Sequence, residues 1–206
     1  GRGDLLGNGS CCRLGREVCC TYPDVADPVM IFTETAIPGV HLLEPQRHED
    51  ERGYFTRTFC EQEFKENGID FSPVQGNTSF NKSPLTLRGL HFHASPYEET
   101  KLVRCGTGRL FDVVVDVRED SAAYGEWIGF ELSRENGRGL FIPAGCAHGF
   151  LTLDADTEVL YLMSPAYKAG YDRGVHWQDP DIGIQWPGEP LVLSDKDRSL
   201  PYLRDV

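Results

Sequence analysis

The run LRGLHFHASPYEETKLVRC, residues 87–105, gathers groups that can move protons or hold ions. His91 and His93 stand two apart, and Glu98, Glu99 and Lys101 follow, with Arg88 just upstream. Two chemistries suit these residue types. Imidazoles and a carboxylate that meet in one cavity can bind a transition metal. Alternatively, His91 is a general base, because imidazole titrates near working pH. Lys101 would then be the fixed positive charge beside a developing oxyanion. Further along, PAGCAH sets His148 after Pro143 and Gly145. Cys146 near His148 resembles a nucleophile–base pair but reads as a small buried residue. Residue types alone leave the two chemistries open.

Positioning such groups falls to short strands. From Met30 onward, VHLLEP, GYFTRTF, KLVRC, RLFDVVVDV, WIGFEL, GLFIP, GFLTL and EVLYLMS are rich in β-branched and aromatic residues. Gly, Pro, Asn and Asp turn signals separate them. Residues 87–105 read as one strand-like segment. CEQEFKENG, residues 60–68, is the one clear helix and stops at Gly68. Many short strands imply an all-β sandwich or barrel rather than a parallel α/β sheet. FDVVVDV alternates in part and puts Asp112 and Asp116 on one side, as a wet edge or part of a lined cavity.

The 206 residues suit one domain with a real core. A net charge of −12 argues against nucleic acid or an anionic membrane as partner. It leaves room for a small anionic ligand on a local Arg/Lys cluster. No apolar run approaches the roughly 20 residues of a membrane helix, and no stretch reads as a signal peptide. A soluble, cytoplasmic protein is expected. Residues 1–29 show no sustained period, and Met30 reads like a protein start. The expected division is a disordered extension or expression remnant over 1–29 and one domain over 30–206. Seven cysteines without a secretion signal do not make a disulfide framework. Cys11, Cys12, Cys19 and Cys20 lack the usual zinc-site spacing.

His91, His93, Glu98 or Glu99, and His148 resemble the metal pattern of cupin barrels, where neighbouring strands point such side chains into one lumen. A second resemblance is more specific. DERGYF, VQGN-S, LRGLHF, KLVRC-G-LFDVVVD, GEW-G-ELS-EN, IPAGCAHGF, VLY, WQDPDIGIQWP and LSDKD occur in that order from about Met30 to Leu203. This set resembles the dTDP-4-dehydrorhamnose 3,5-epimerase family, a branch of the cupin superfamily that works without metal. The resemblance implies an all-β, cupin-type jelly-roll or β-barrel domain with a few short helices. It also implies a homodimer, no cofactor and no metal, and a nucleoside-diphosphate sugar as substrate.

Site residues follow from the same motifs. The resemblance makes His91 the base, Asp197 its partner, Tyr161 the acid on the opposite face, and Lys101 the cation beside the sugar ketone. It puts Arg88 and Arg52 on the diphosphate. Phe55, Gln75, Asn77, His148 and Lys196 match further ligand-contacting positions, and Tyr167 and Asp172 fall near positions that hold the nucleotide. The implied chemistry is coherent. A ketone at C4 acidifies C3 and C5, a base makes the enolate, and a proton returned from the other face inverts the centre. An aspartate on the imidazole fixes its tautomer and supports the imidazolium.

The chain departs from the family at several places. His93 stands where glutamine is usual, which revives the metal motif. His48, Arg57, Gly76 and the Leu-Met-Ser after Tyr161 are also unusual, and Asp172 is shorter than the usual glutamate. These changes fall mainly on the nucleotide-facing rim. Thymidine is the expected nucleotide, with cytidine and guanosine open. The expected function is epimerisation at C3 and/or C5 of a nucleotide-linked 4-keto-6-deoxyhexose. The alternatives are a metal-dependent cupin oxygenase or isomerase, a non-catalytic sugar-nucleotide-binding cupin, and a sugar 3,4-ketoisomerase.

Overall fold

Residues 87–105 form two strands in two different sheets, not the single segment expected. The computed structural model describes residues 30–206; the expected extension over 1–29, with its four cysteines, lies outside the described residues. The strands are β1 (Met30–Glu34), β2 (His41–Pro45), β3 (Arg47–Asp50), β4 (Gly53–Thr56), β5 (Gln75–Asn81), β6 (Leu87–His93), β7 (Thr100–Thr107), β8 (Arg109–Asp116), β9 (Trp127–Ser133), β10 (Gly139–Ile142), β11 (Cys146–Thr152), β12 (Thr157–Ser164) and β13 (Asp172–Gly174). Helix α1 spans Glu61–Glu66, and α2 spans Asp195–Arg198.

One sheet has the order β1-β2-β10-β7-β12-β5, the other β13-β6-β11-β8-β9, and β3-β4 is a separate ribbon. The first core lies between the two large sheets. Val103, Leu140, Ile142 and Val159 of one meet Leu110, Val114, Leu132 and Phe150 of the other. A second core covers the outer face of the six-stranded sheet, where Phe64 of α1 packs with Leu43, Leu102, Phe141 and Phe71. A third covers the outer face of the five-stranded sheet with Leu90, Val113, Val115, Ala147, Val175 and Leu203. Each fully buried Leu or Val side chain contributes about 1.5–3 kcal/mol.

FDVVVDV therefore has both faces buried, which is why its alternation is blurred. Asp112 and Asp116 share a face as expected, but they form neither a wet edge nor a cavity lining. Both are fully buried. Asp112 meets His148, whereas Asp116 is gripped by Arg118 and Ser121. At that depth an unpaired Asp116 would cost about 3–5 kcal/mol. Burial alone would raise its carboxyl; the Arg118 and Ser121 hydrogen bonds outweigh it and leave the pKa below the ordinary value.

Helix α1 ends as its sequence predicts. Gly68 takes φ +76°, its N–H donates to the Lys65 carbonyl, and the Ile69 N–H reaches back to Phe64. This is the Schellman arrangement, and Ile69 and Phe64 share the second core. Glycine is required for a different reason at Gly89, where β6 and β11 nearly touch. A Cβ there would sit 2.6 Å from the Gly149 Cα, and one on Gly149 would sit 2.7 Å from the Arg88 carbonyl oxygen. The register shifts beside this contact, yet His148 still pairs directly with His91.

After β13 the chain wraps the five-stranded sheet without regular pairing. Residues 191–206 are tied down at separated points. Thr86 bridges Val192, the His176 N–H donates to the Pro201 carbonyl, and the Leu203 N–H donates to buried Asp179 at 2.6 Å. Among the described residues, no helix is long and apolar enough to cross a membrane.

Candidate active site

A cleft of about 710 Å³ opens between the two sheets. One wall belongs to the five-stranded sheet and supplies Arg88, His91 and His93 from β6, His148 from β11 and Asp172 from β13. The other wall supplies Gln75, Asn77 and Ser79 from β5, Lys101 from β7, and Tyr161 and Met163 from β12. Strand alternation makes these sets. Gln75, Asn77 and Ser79 are two apart in β5, as are Tyr161 and Met163 in β12, so each set shares one face. Lys196 and Asp197 come down from α2 and complete the lining.

His91 and Asp197 form a dyad. The Nε2 atom of His91 lies 2.6 Å from Asp197 Oδ1. The His91 side chain is 36% exposed and Asp197 only 5%, so the imidazole is the cleft-facing member. Ser194 caps α2 by accepting the Asp197 N–H, which fixes the carboxylate. Burial raises the Asp197 carboxyl, but the His91 contact, the Ser194 hydroxyl and the Gly89 N–H together hold it below the usual carboxylate range. An ionised aspartate here accepts Nε2–H and leaves the lone pair on Nδ1 for a substrate proton.

Tyr161 stands on the opposite wall. Burial first, and the charge of Glu99 second, push its hydroxyl above its ordinary pKa, against the opposing effect of Arg88. It is therefore a protonated donor at neutral pH. Lys101 pairs with Glu99 at 2.5 Å. Arg88 is braced by its Nε–H donating to Asn81 Oδ1 at 2.8 Å, and Asn81 is itself buried. At the outer end, the Tyr167 hydroxyl donates to Asp172 and the Tyr167 N–H donates to Gln75. Gln75 in turn donates to Asn77.

The cleft thus brings together Gln75, Asn77, Arg88, His91, Lys101, His148, Tyr161, Tyr167, Asp172, Lys196 and Asp197. Two expected residues are elsewhere. Arg52 is 84% exposed, paired with Asp50 on the β3-β4 ribbon, and Phe55 on the same ribbon is 63% exposed. Neither lines the cleft of its own chain.

The metal reading is not assembled. His91 gives Nε2 to Asp197, His148 gives Nε2 to Asp112, and His93 gives Nδ1 to Glu99. Among the described residues, no group of three His, Cys, Asp or Glu side chains could hold a metal ion. His93 does not face solvent either. It is buried, with its ring against Tyr167. Cys146 lies on the same inner face as His148, two residues away, but deeper in the core. Burial pushes its thiol up to about 12, which removes it as a nucleophile.

Sequence reasoning missed several contributors, Ser79 and Met163 of the cleft wall among them. Glu99 entered only as a metal ligand, and Asn81 not at all. The polar alternation of QGNTSFN was the available signal for Asn81.

Comparison with known proteins places the chain among nucleotide-sugar epimerases. The family model described as dTDP-4-dehydrorhamnose 3,5-epimerase matches residues 34–205. A dTDP-4-dehydrorhamnose 3,5-epimerase of Sinorhizobium fredii is 49% identical over 178 residues, covering 86% of this chain and 91% of that protein. The dTDP-4-dehydrorhamnose 3,5-epimerase of Bacillus anthracis, solved with TDP and PPi bound, is 41% identical with a TM-score of 0.82. That match covers 84% of this chain and 99% of the solved one. The dTDP-6-deoxy-D-glucose-3,5-epimerase of Legionella pneumophila, in complex with dTDP-4-keto-L-rhamnose, is 38% identical with a TM-score of 0.81. It covers 85% of this chain and 93% of that one.

Proposed function

This chain belongs to the dTDP-4-dehydrorhamnose 3,5-epimerase family, and from that premise we propose how its own residues carry the reaction. It is an isomerase that inverts centres beside the ketone of a nucleotide-linked 4-keto-6-deoxyhexose. Its substrate is dTDP-4-dehydro-6-deoxyglucose and its product dTDP-4-dehydrorhamnose. The observation that carries the residue assignment is the His91–Asp197 dyad on one wall of a cleft whose other wall bears Tyr161 and Lys101.

His91 Nδ1 removes a proton from the carbon next to the ketone, and Asp197 stabilises the imidazolium that forms. The electron pair moves onto the ketone oxygen, where the Lys101 ammonium balances the new negative charge. Tyr161 returns a proton from its own side, so the centre inverts. Arg88, held by Asn81, binds the diphosphate through its guanidinium fork. Gln75, Asn77, His148, Tyr167, Asp172 and Lys196 hold the remainder of the nucleotide sugar.

Arg52 and Phe55 join this reading if the chain is a homodimer. The ribbon that carries them presents Tyr54 and Phe55 to solvent, and the outer sheet face exposes Phe80 and Leu160. A second copy covering these apolar groups would receive Arg52 and Phe55 in its own cleft. The reading puts this chemistry in the cytoplasm.

Proton NMR in D₂O with dTDP-4-keto-6-deoxyglucose tests the reaction, with and without EDTA. Loss of both the C3 and C5 signals, unchanged by EDTA, is the expected result. Sensitivity to EDTA, or no exchange at all, would overturn the assignment. The dimer has its own test. Arg52→Ala and His91→Ala chains should each be nearly inactive alone. Co-expressed at equal levels, they should recover about one quarter of wild-type activity, because half of the dimers are mixed and each has one intact site. No recovery would mean that Arg52 does not enter the partner's site.

A further inference from the structure

His93 takes no part in the proton transfer described above, yet it is one of the most constrained side chains in the cleft. Its Nδ1 atom lies 3.1 Å from Glu99 Oε2, while the other oxygen, Oε1, lies 2.5 Å from Lys101 Nζ. The three side chains are 4%, 8% and 11% exposed, so little solvent competes for these contacts. We propose that His93 is a positioning residue: acting through Glu99, it holds the Lys101 ammonium at the ketone end of the cleft. This rests on the role given to Lys101 in the proposed function.

Topology explains why Lys101 needs such a hold. Lysine carries its charge on a flexible stem of four carbons. Its partner Glu99 sits only two residues upstream, at the end of the turn between β6 and β7. A carboxylate on that turn would move with the turn and fix nothing by itself. His93 belongs to the opposite wall and is anchored there. It pairs with Asp172 across β6 and β13, its Nε2 lies 3.6 Å from Asp172 Oδ1, and its ring packs 5.2 Å from that of Tyr167. The His93–Glu99 contact therefore pins the start of β7 to the other sheet. It also sets an imidazole nitrogen against the second oxygen of a carboxylate that is only 8% exposed.

Glu99 matters twice. Its charge is the second cause, after burial, of the raised Tyr161 pKa. One histidine thus fixes a carboxylate that serves both the enolate cation and the acid.

His93→Leu removes the donor and keeps most of the bulk, whereas His93→Gln keeps a donor for Glu99. For His93→Leu, kcat should fall about 10- to 100-fold, the scale of a displacement of roughly 1 Å in a catalytic group. Affinity for dTDP, which lacks the sugar, should fall far less than kcat, the small loss coming from Tyr167 and Asp172, which His93 also touches. His93→Gln should restore most of kcat. On a Lys101→Ala background, His93→Leu should add nothing, because the two act as one unit. Glu99→Gln should reproduce both the loss and the non-additivity, which covers the case in which His93→Leu does not fold. The inference is overturned by a wild-type kcat in His93→Leu, by equal impairment of the Leu and Gln variants, or by a full additional loss on the Lys101→Ala background. If Lys101→Ala alone keeps full activity, the proposed role of Lys101 fails instead.

Discussion

His91→Ala should lower kcat by about 10²- to 10⁴-fold, the range for removing a positioned general base. It should also abolish exchange of the C3 and C5 protons in D₂O. Both losses have one cause, because no enolate forms without a base on that wall. His148 is the cross-strand neighbour of His91, but it cannot substitute. Its Nε2 is bound to fully buried Asp112 at 2.8 Å, and its side chain is only 11% exposed. Asp197→Asn should fall in the same direction, since an amide can offer an N–H to Nε2 and select the wrong tautomer. The low pKa of Asp197 gives the sign of the pH effect. On acidification the carboxylate stays ionised below the ordinary carboxylate range, so protonation of Asp197 is not what first stops the enzyme. Stopped-flow or NMR rates for the two variants check this, and a His91→Ala protein with full turnover would end the proposal.

The second large effect separates two steps. Tyr161→Phe removes the donor and leaves the base. The enolate should still form on the His91 wall and be reprotonated from that same wall, giving deuterium incorporation without inversion. Exchange should stay within about tenfold of wild type while product formation falls about 10²- to 10⁴-fold. Equal loss of exchange and inversion would mean that Tyr161 is needed to form the enolate. The expected split follows from topology alone, because β6 and β12 lie in different sheets.

Much of this was readable before any coordinates. The apolar strands were visible because each buries at least one face, and the Gly68 stop was visible because only glycine takes that backbone easily. Strand β5 was not visible. QGNTSFN places polar residues toward the cleft and Gly76, Thr78 and Phe80 outward, so neither face looks like core. Strand β3, RHED, is a charged ribbon with no core face of its own. The dyad and Tyr161 came from family motifs, not from pattern. No periodicity connects LSDKD to LRGLHF. Glu99 was misread because its meaning depends on His93 arriving from the other sheet. In one dimension EET is only a polar stretch before a strand. Arg52 and Phe55 show the reverse limit, since the family motif names them as ligand-contacting and the cleft of their own chain does not include them.

His91 and Asp197 are separated by 106 positions in the sequence. Closing so long a loop costs more chain entropy than closing a short one, which slows the formation of such a contact. Asp197 also arrives on a segment held by a few separated bonds, unlike the paired strands around His91. Such a segment opens at lower free energy than the sheets it covers. Turnover should therefore disappear on warming before the sheets melt, and it should return last on refolding. In hydrogen exchange, the Asp197 amide should lose protection ahead of the His91 amide. A formed barrel whose α2 has not docked would leave its base without the carboxylate that orients it.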